Sequence, residues 1–236
     1  MEPSGRGAPA DPGAYFRTAP VNTLLAALNI LFFLFLETHG GSNDPGTMLT
    51  YGAVYGPLVV NEGEYWRLLT AAFMHFGITH IANNMLLLLI MGRRLEQVLG
   101  HARYLVLYLL SALAGNVFSL WFSMQTGDFG LSAGASGAVF GVIGGLLWAV
   151  MRNKGRLLDL NERQITIFAG LSFYYGLTAE GVDNAAHFGG AVAGFLLCML
   201  LYRGGGEAGR PTESGSGEGG RSTESGSEEG GGSTEN

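Results

Sequence analysis

"VNTLLAALNILFFLFL", residues 21–36, contains no charged residue, and its few polar members, Asn22, Thr23 and Asn29, do not make a polar face. A surface helix of a soluble domain keeps a charged side toward water, so a segment apolar all round belongs in a large core or in lipid. Lys, Arg, Asp and Glu are likewise missing from His80 to Gly92, Tyr104 to Met124, Gly137 to Met151, Ile165 to Thr178 and Ala185 to Tyr202. Extended by their flanks, several of these segments reach the ~20 residues that cross a hydrocarbon layer of ~30 Å. The totals, 47% hydrophobic and 14% charged, conceal the pattern because the charge sits at the ends and in short loops. The chain is therefore expected to be all-α, a polytopic membrane protein with six transmembrane helices, some of them short. A signal peptide fits the first segment poorly, since "ETHGG" follows Leu36 where a small-x-small cleavage site would stand.

Basic residues give the orientation. Arg6 and Arg17 precede helix 1; Arg93, Arg94 and Arg103 lie between helices 2 and 3; Arg152, Lys154, Arg156 and Arg163 lie between helices 4 and 5; Arg203, Arg210 and Arg221 follow helix 6. That alternation takes 12 of the 13 and leaves only Arg67 in the opposite loops, where Asp44, Glu62, Glu64, Asp128, Glu180 and Asp183 collect. With positive loops retained inside, both termini are expected in the cytoplasm of a cell-membrane protein. Three regions follow: a cytoplasmic segment over 1–19, the membrane domain over 20–203, and a tail over 204–236. In the tail, "RPTESGSGEGG" and "RSTESGSEEGG" form an imperfect repeat of Gly, Ser, Thr and Glu without a large apolar residue, a composition that cannot offset its own ordering entropy. Much of the net charge of −6 comes from there. Cys198, the lone cysteine, reads as a small apolar filler of helix 6.

Polar residues inside the spans carry the functional information, because a polar group in a bilayer is costly unless it has a partner or a task. His80 and Asn84 share one face near the outer end of helix 2, Ser136 precedes helix 4 within "LSAGASGAVFGVIGG", and His187 sits about one turn into helix 6. All belong to the same depth on the same side. A serine hydroxyl becomes a nucleophile when a base takes its proton, and the tetrahedral intermediate needs donors aimed at its oxyanion. Ser136 would attack, His187 would serve as general base and then acid, and Asn84, His80 and the Ser136 N–H at a helix N-terminus would donate to the oxyanion. Asp183 is the one carboxylate that could reach back to orient His187, and a Ser–His dyad is the simpler assignment. Gly137, Gly141 and Gly145 on helix 4 and Ala186, Gly190 and Gly194 on helix 6 form small-xxx-small ladders that let two helices approach closely. The ladders are expected to hold Ser136 within hydrogen-bond reach of His187.

"GASG" around Ser136, "HIANN" from His80 to Asn84, "AHFGGAVAG" around His187 and "YWR" from Tyr65 to Arg67 together resemble the rhomboid family of intramembrane serine proteases. The resemblance runs from about Pro20 to Arg203 in helix number, order and spacing. It implies Ser136 as nucleophile, His187 as its base, and His80 and Asn84 as oxyanion-hole side chains. Trp66 and Arg67 resemble a pair in a partly inserted structural element after helix 1, which accounts for the stray Arg67. His75 and Glu96 resemble structural hydrogen-bonding positions, while Gly134, Gly137, Gly141, Gly190 and Gly194 supply the close backbone approaches. Many bacterial members have Tyr four residues after the serine; here that position is Phe140, whose ring can still stack on the imidazole. The implied substrates are membrane proteins whose transmembrane helix unwinds easily near its outer end, with a small residue before the scissile bond. The lipid bilayer is the other implied partner; no metal, cofactor or nucleic acid is.

Each residue alone has a plainer role. Ser136 in a glycine-rich helix start is an N-cap, His187 an interhelical hydrogen-bonding residue, and His80 with Asn84 a pair bonding neighbouring helices. His39 and His101 fall in loops and receive no role. Two rival functions stand beside proteolysis: a catalytically silent rhomboid-like protein that binds and escorts membrane proteins, and a small transporter. Intramembrane charges and repeated halves would mark the transporter, and the membrane domain has no internal repeat. No His, Cys and carboxylate spacing such as H-E-x-x-H suggests a metalloenzyme.

Overall fold

The computed structural model describes residues 17–153 and 182–203, with isolated residues between 156 and 174. Helix α1 (Pro20–Thr38) starts on a proline whose missing N–H would have had no helical partner. Its buried residues, Asn22, Leu25, Ala26, Asn29, Phe33 and Leu36, recur at steps of three and four, whereas Leu24, Leu28, Leu31 and Leu34 face outward, as suits a helix surrounded by hydrocarbon. Three short helices follow, α2 (Pro45–Tyr51), α3 (Gly56–Val60) and α4 (Arg67–Thr70), the last continued by a 3₁₀ turn over Ala71–Phe73. Asp44 caps α2 by accepting from the N–H of Thr47, a bond that, with the Thr47 hydroxyl, holds its carboxyl below the usual range.

The chain then turns by 89° into a continuous helical run made of α5 (Gly77–Leu87), a π-helical turn over Leu88–Gly92 and α6 (Arg93–Leu99). Gly77 makes that corner in the left-handed region, φ +72°, where a Cβ would also press on Asn43. Helices α7 (His101–Thr126), α8 (Ser136–Arg152) and α9 (Asn184–Leu201) complete the described bundle, and β1 (Arg156–Leu157) pairs antiparallel with β2 (Leu160–Asn161) in the loop after α8. Among the described residues, α1, α7 and α9 are long and apolar enough to cross a membrane; α8 is apolar but shorter. Helices stand over the first four expected segments and the sixth, most of their ends lying a little further out than the charge-free runs, and helix 2 is longer than its run because Arg93, Arg94 and Glu96 lie within the helix. The expected fifth span, Ile165 to Thr178, falls largely outside the described residues, as do the segment over 1–16 and the tail over 204–236.

Helix α8 is the central post. It is buried on nearly every side and packs against α7 and α9. The two ladders meet: a Cβ on Gly190 would collide with the Gly137 carbonyl, and one on Gly194 with the Gly141 carbonyl. Gly144 makes the next approach, to the Ala191 carbonyl, while Gly145 faces Leu95, Leu107 and Cys198, so the ladder on α8 shifts by one residue from the spacing expected. At the far end of the α5–α6 run, the buried carboxylate of Glu96 accepts the N–H groups of Val21 (3.0 Å) and Asn22 (2.7 Å), satisfying the first turn of α1. His101 opens α7 rather than lying in a loop, and its Nδ1 is 2.6 Å from Glu96 Oε1. The Tyr104 hydroxyl donates to Asn22 Oδ1 at 2.6 Å.

Candidate active site

Ser136 is the first residue of α8, half-buried, and the capping position belongs to Ala135, with no side-chain cap bond. The plain N-cap role is therefore not the one this serine plays. It stands at the end of an extended loop that is held at several points. Ser132 and Val54 exchange backbone hydrogen bonds of 2.8 and 3.0 Å, the Gly134 N–H donates to the Ala71 carbonyl at 2.9 Å, and the Ala135 N–H donates to His75 Nε2 at 3.3 Å. His75 is fully buried and stacks edge-on against His80, centroids 5.2 Å apart. His75 thus bonds the loop before Ser136 and lies against the imidazole of His80.

Gly134 explains why the loop needs a residue without a side chain. Its φ of +149° is a conformation other residues rarely adopt, and a Cβ there would lie 2.9 Å from His80 Nε2 and 3.5 Å from Ser136 Oγ. The imidazole and the hydroxyl thus flank one bare backbone position. His80 Nδ1 accepts the Phe76 N–H at 3.4 Å, which leaves Nε2 directed at the Gly134 side. Asn84 is buried one turn further along α5 and donates one amide hydrogen to the His80 carbonyl at 3.1 Å; the amide has a second.

His187 is buried in the first turn of α9. Phe140 lies almost parallel to its ring, with centroids 4.2 Å apart and planes at 18°. Gly137, next to Ser136, and Gly190, three residues after His187, touch through the ladder: a Cβ on Gly190 would be 3.0 Å from the Gly137 Cα. Gly115 of α7 completes the contact, since its own Cβ would meet the Ala186 carbonyl at 2.8 Å. Ser136 is the first residue, and His187 the fourth, of two helices in backbone contact.

Arg67 is buried although charged. Its guanidinium donates to the carbonyls of Leu49 (2.6 Å) and Ala53 (3.1 Å), pairs with Glu64 (2.5 Å) and lies over the Trp66 ring at 4.6 Å. It thereby gathers the short helices after α1, and Asn116 of α7 bonds the neighbouring Leu68 carbonyl at 2.8 Å. Sequence reasoning missed the partners of Asp183. Its oxygens accept from the Ala186 N–H and from the hydroxyls of Ser119 and Ser132. An Asp just before an apolar helical run is an N-cap signature that predicts the first bond; the two serines lie too far away in sequence to have been foreseen. Among the described residues no group of His, Cys, Asp and Glu is arranged to hold a metal.

The chain matches the model of the Rhomboid domain over residues 62–204. It is 36% identical to rhomboid protease GluP of Bacillus subtilis (strain 168) over 178 residues, covering 75% of this chain but 34% of that protein. RHOMBOID-like protein 4 of Arabidopsis thaliana is 38% identical over 161 residues, 66% of this chain and 39% of the relative. YdcA of B. subtilis is 30% identical over 187 residues, 79% of this chain and 90% of its own length. The chain thus spans about a third of GluP, two-fifths of the plant relative and nearly all of YdcA.

Proposed function

The chain belongs to the rhomboid family, a multi-pass membrane protein, and from that premise we propose that it is an intramembrane serine endopeptidase with the six-helix bundle of that family. Ser136 Oγ attacks the scissile carbonyl while His187 takes the hydroxyl proton, giving a tetrahedral intermediate whose negative oxygen is held by Asn84, His80 and the Ser136 N–H. Collapse expels the amine, which receives the proton from His187, and leaves an acyl ester on Ser136. Water then attacks the ester, again with His187 as base, and releases the acid and the free serine. No metal or cofactor takes part. The substrates are proteins with a transmembrane helix that unwinds near the outer face, cut after a small residue, with both termini of the enzyme in the cytoplasm.

The observation that carries this reading is the shared position at Gly134, where a Cβ would lie 2.9 Å from His80 Nε2 and 3.5 Å from Ser136 Oγ, with Phe140, one helix turn after Ser136, laid on His187. A reacting carbonyl oxygen requires such a meeting of nucleophile and donor. Detergent-purified protein incubated with a single-pass membrane substrate tests it, wild type against variants. Cleavage is expected to vanish in Ser136→Ala and His187→Ala and to fall roughly 10²- to 10³-fold in Asn84→Ala and His80→Ala, the range for loss of one oxyanion donor. A serine-directed fluorophosphonate should label wild type and fail on Ser136→Ala. Cleavage by Ser136→Ala would exclude the mechanism; substrate binding by a wild type that neither cleaves nor labels would establish a silent, escorting protein in its place.

A further inference from the structure

Asp183 stands immediately before α9, and both of its oxygens are engaged. Oδ1 accepts the Ala186 N–H at 2.8 Å and so closes the first turn of the helix that carries His187. Oδ2 is not needed for the cap. It accepts the Ser132 hydroxyl at 2.6 Å and the hydroxyl of Ser119, a buried residue of α7. Ser132 is in the loop that delivers Ser136, and its backbone is already paired with Val54. A single carboxylate therefore joins the loop of the hydroxyl to the helix of the imidazole and to the helix that both pack against. Hydrogen bonds to an ionised acceptor are shorter and roughly twice as strong as neutral ones, so this junction is stiffer than a neutral polar contact would be.

We propose that Asp183 is a positioning residue of the active site, which sets the registry of Ser136 against His187 by tying the Ser132 hydroxyl to the first turn of α9. The inference rests on the serine-protease reading. The loop over 128–135 has no helix of its own; it is held by backbone pairs with Val54 and Ala71, by the bond from Ala135 to His75, by the packing of Leu131 and Ala133 and by the start of α8, and among these holds the tether is the one that ties it to the first turn of α9. Proton transfer from Ser136 depends on a geometry in which a displacement of about 1 Å costs on the order of 10²-fold in rate. The carboxylate acts through Ala186 and Ser132, and has no part in bond making.

Ser132→Ala separates the tether from the cap, because it removes one hydroxyl and leaves the bond from Asp183 to Ala186 in place. The readouts are the fluorophosphonate labelling rate at Ser136, kcat and KM for a single-pass substrate, and the thermal midpoint in the same detergent. Labelling and kcat are expected to fall on the order of tenfold in Ser132→Ala with KM and midpoint unchanged, and Ser132→Thr, which keeps a hydroxyl, should restore both. Asp183→Ala should lower the rate further and the midpoint as well, since it also removes the helix cap. Wild-type labelling and turnover in Ser132→Ala would overturn the inference, as would a rate loss that Ser132→Thr does not repair. If wild type itself takes no label, the serine-protease reading fails first, and this inference with it.

Discussion

Phe140 lies face to face with His187, centroids 4.2 Å apart, at the position where the resemblance leads one to look for a tyrosine. A stacked ring restricts the imidazole to one plane and shields it from water, and neither effect needs a hydroxyl. Aromatic pairs are worth about 0.5–1.5 kcal/mol beyond burial, so Phe140→Ala should slow cleavage roughly 2- to 10-fold, whereas Phe140→Tyr should leave the rate near wild type. Cleavage assays on both variants check this; a large loss in Phe140→Tyr would show that the site is shaped specifically for phenylalanine. Most of the candidate site is legible at this scale. Ser136, His187, His80 and Asn84 are polar groups that the sequence places toward one end of three apolar spans, and the structure brings His80 and Ser136 to one backbone position. Asp183 was read only as a carboxylate that could reach back toward His187, and its bonds to Ser119 and Ser132 stayed hidden because they cross sequence separations of 64 and 51 residues.

Helices α8 and α9 meet backbone to backbone, and that contact differs from one glycine to the next. At Gly190 an added methyl would strike the main chain of Gly137, which cannot turn aside; at Gly145 the nearest atom is the Leu95 Cδ2 at 3.1 Å, the tip of a side chain that can. Overpacking a closed contact costs typically 1–3 kcal/mol. Gly190→Ala should therefore lower both the thermal midpoint in detergent and the cleavage rate, while Gly145→Ala should lower either one much less. Equal midpoints for the two variants would show that the helices can part without cost. Spacing alone could not choose between Gly144 and Gly145, because the helix crossing decides which of two adjacent glycines faces the partner. The short helices α2, α3 and α4 were equally hidden, being too brief to display a period. Their arrangement depends on Arg67, whose bonds to Leu49 and Ala53 span a loop.

At the scale of the whole chain, the charge-free runs within the long described helices are what the sequence displays most openly, because a bilayer excludes charge over a fixed thickness. The helix ends lie further out, since Arg94 and Arg103 bond helical carbonyls, of Ile90 and Leu99, from positions within the helices. Basic residues on one side predict the topology: reporters fused after Lys154 and after Arg203 should read as cytoplasmic, and one near Asp128 as external. A cytoplasmic signal at Asp128 would overturn the orientation and move the site to the inner face.

The π-helical turn over Leu88–Gly92 lies between His80 and Asn84 on one side and Glu96 on the other, with Gly92 as its last residue. A turn of this kind holds one residue more than an α-helical turn would. The half of the run near Ser136 carries His80 and Asn84, and at the far edge of the turn Gly92 lies against Asn22 and Tyr104. Loss of one residue within the turn would rewind it to α-helix without rotating either half, so length variation among descendants of this chain has one place in the run where it costs neither the hydroxyl's neighbours nor the seat of α1.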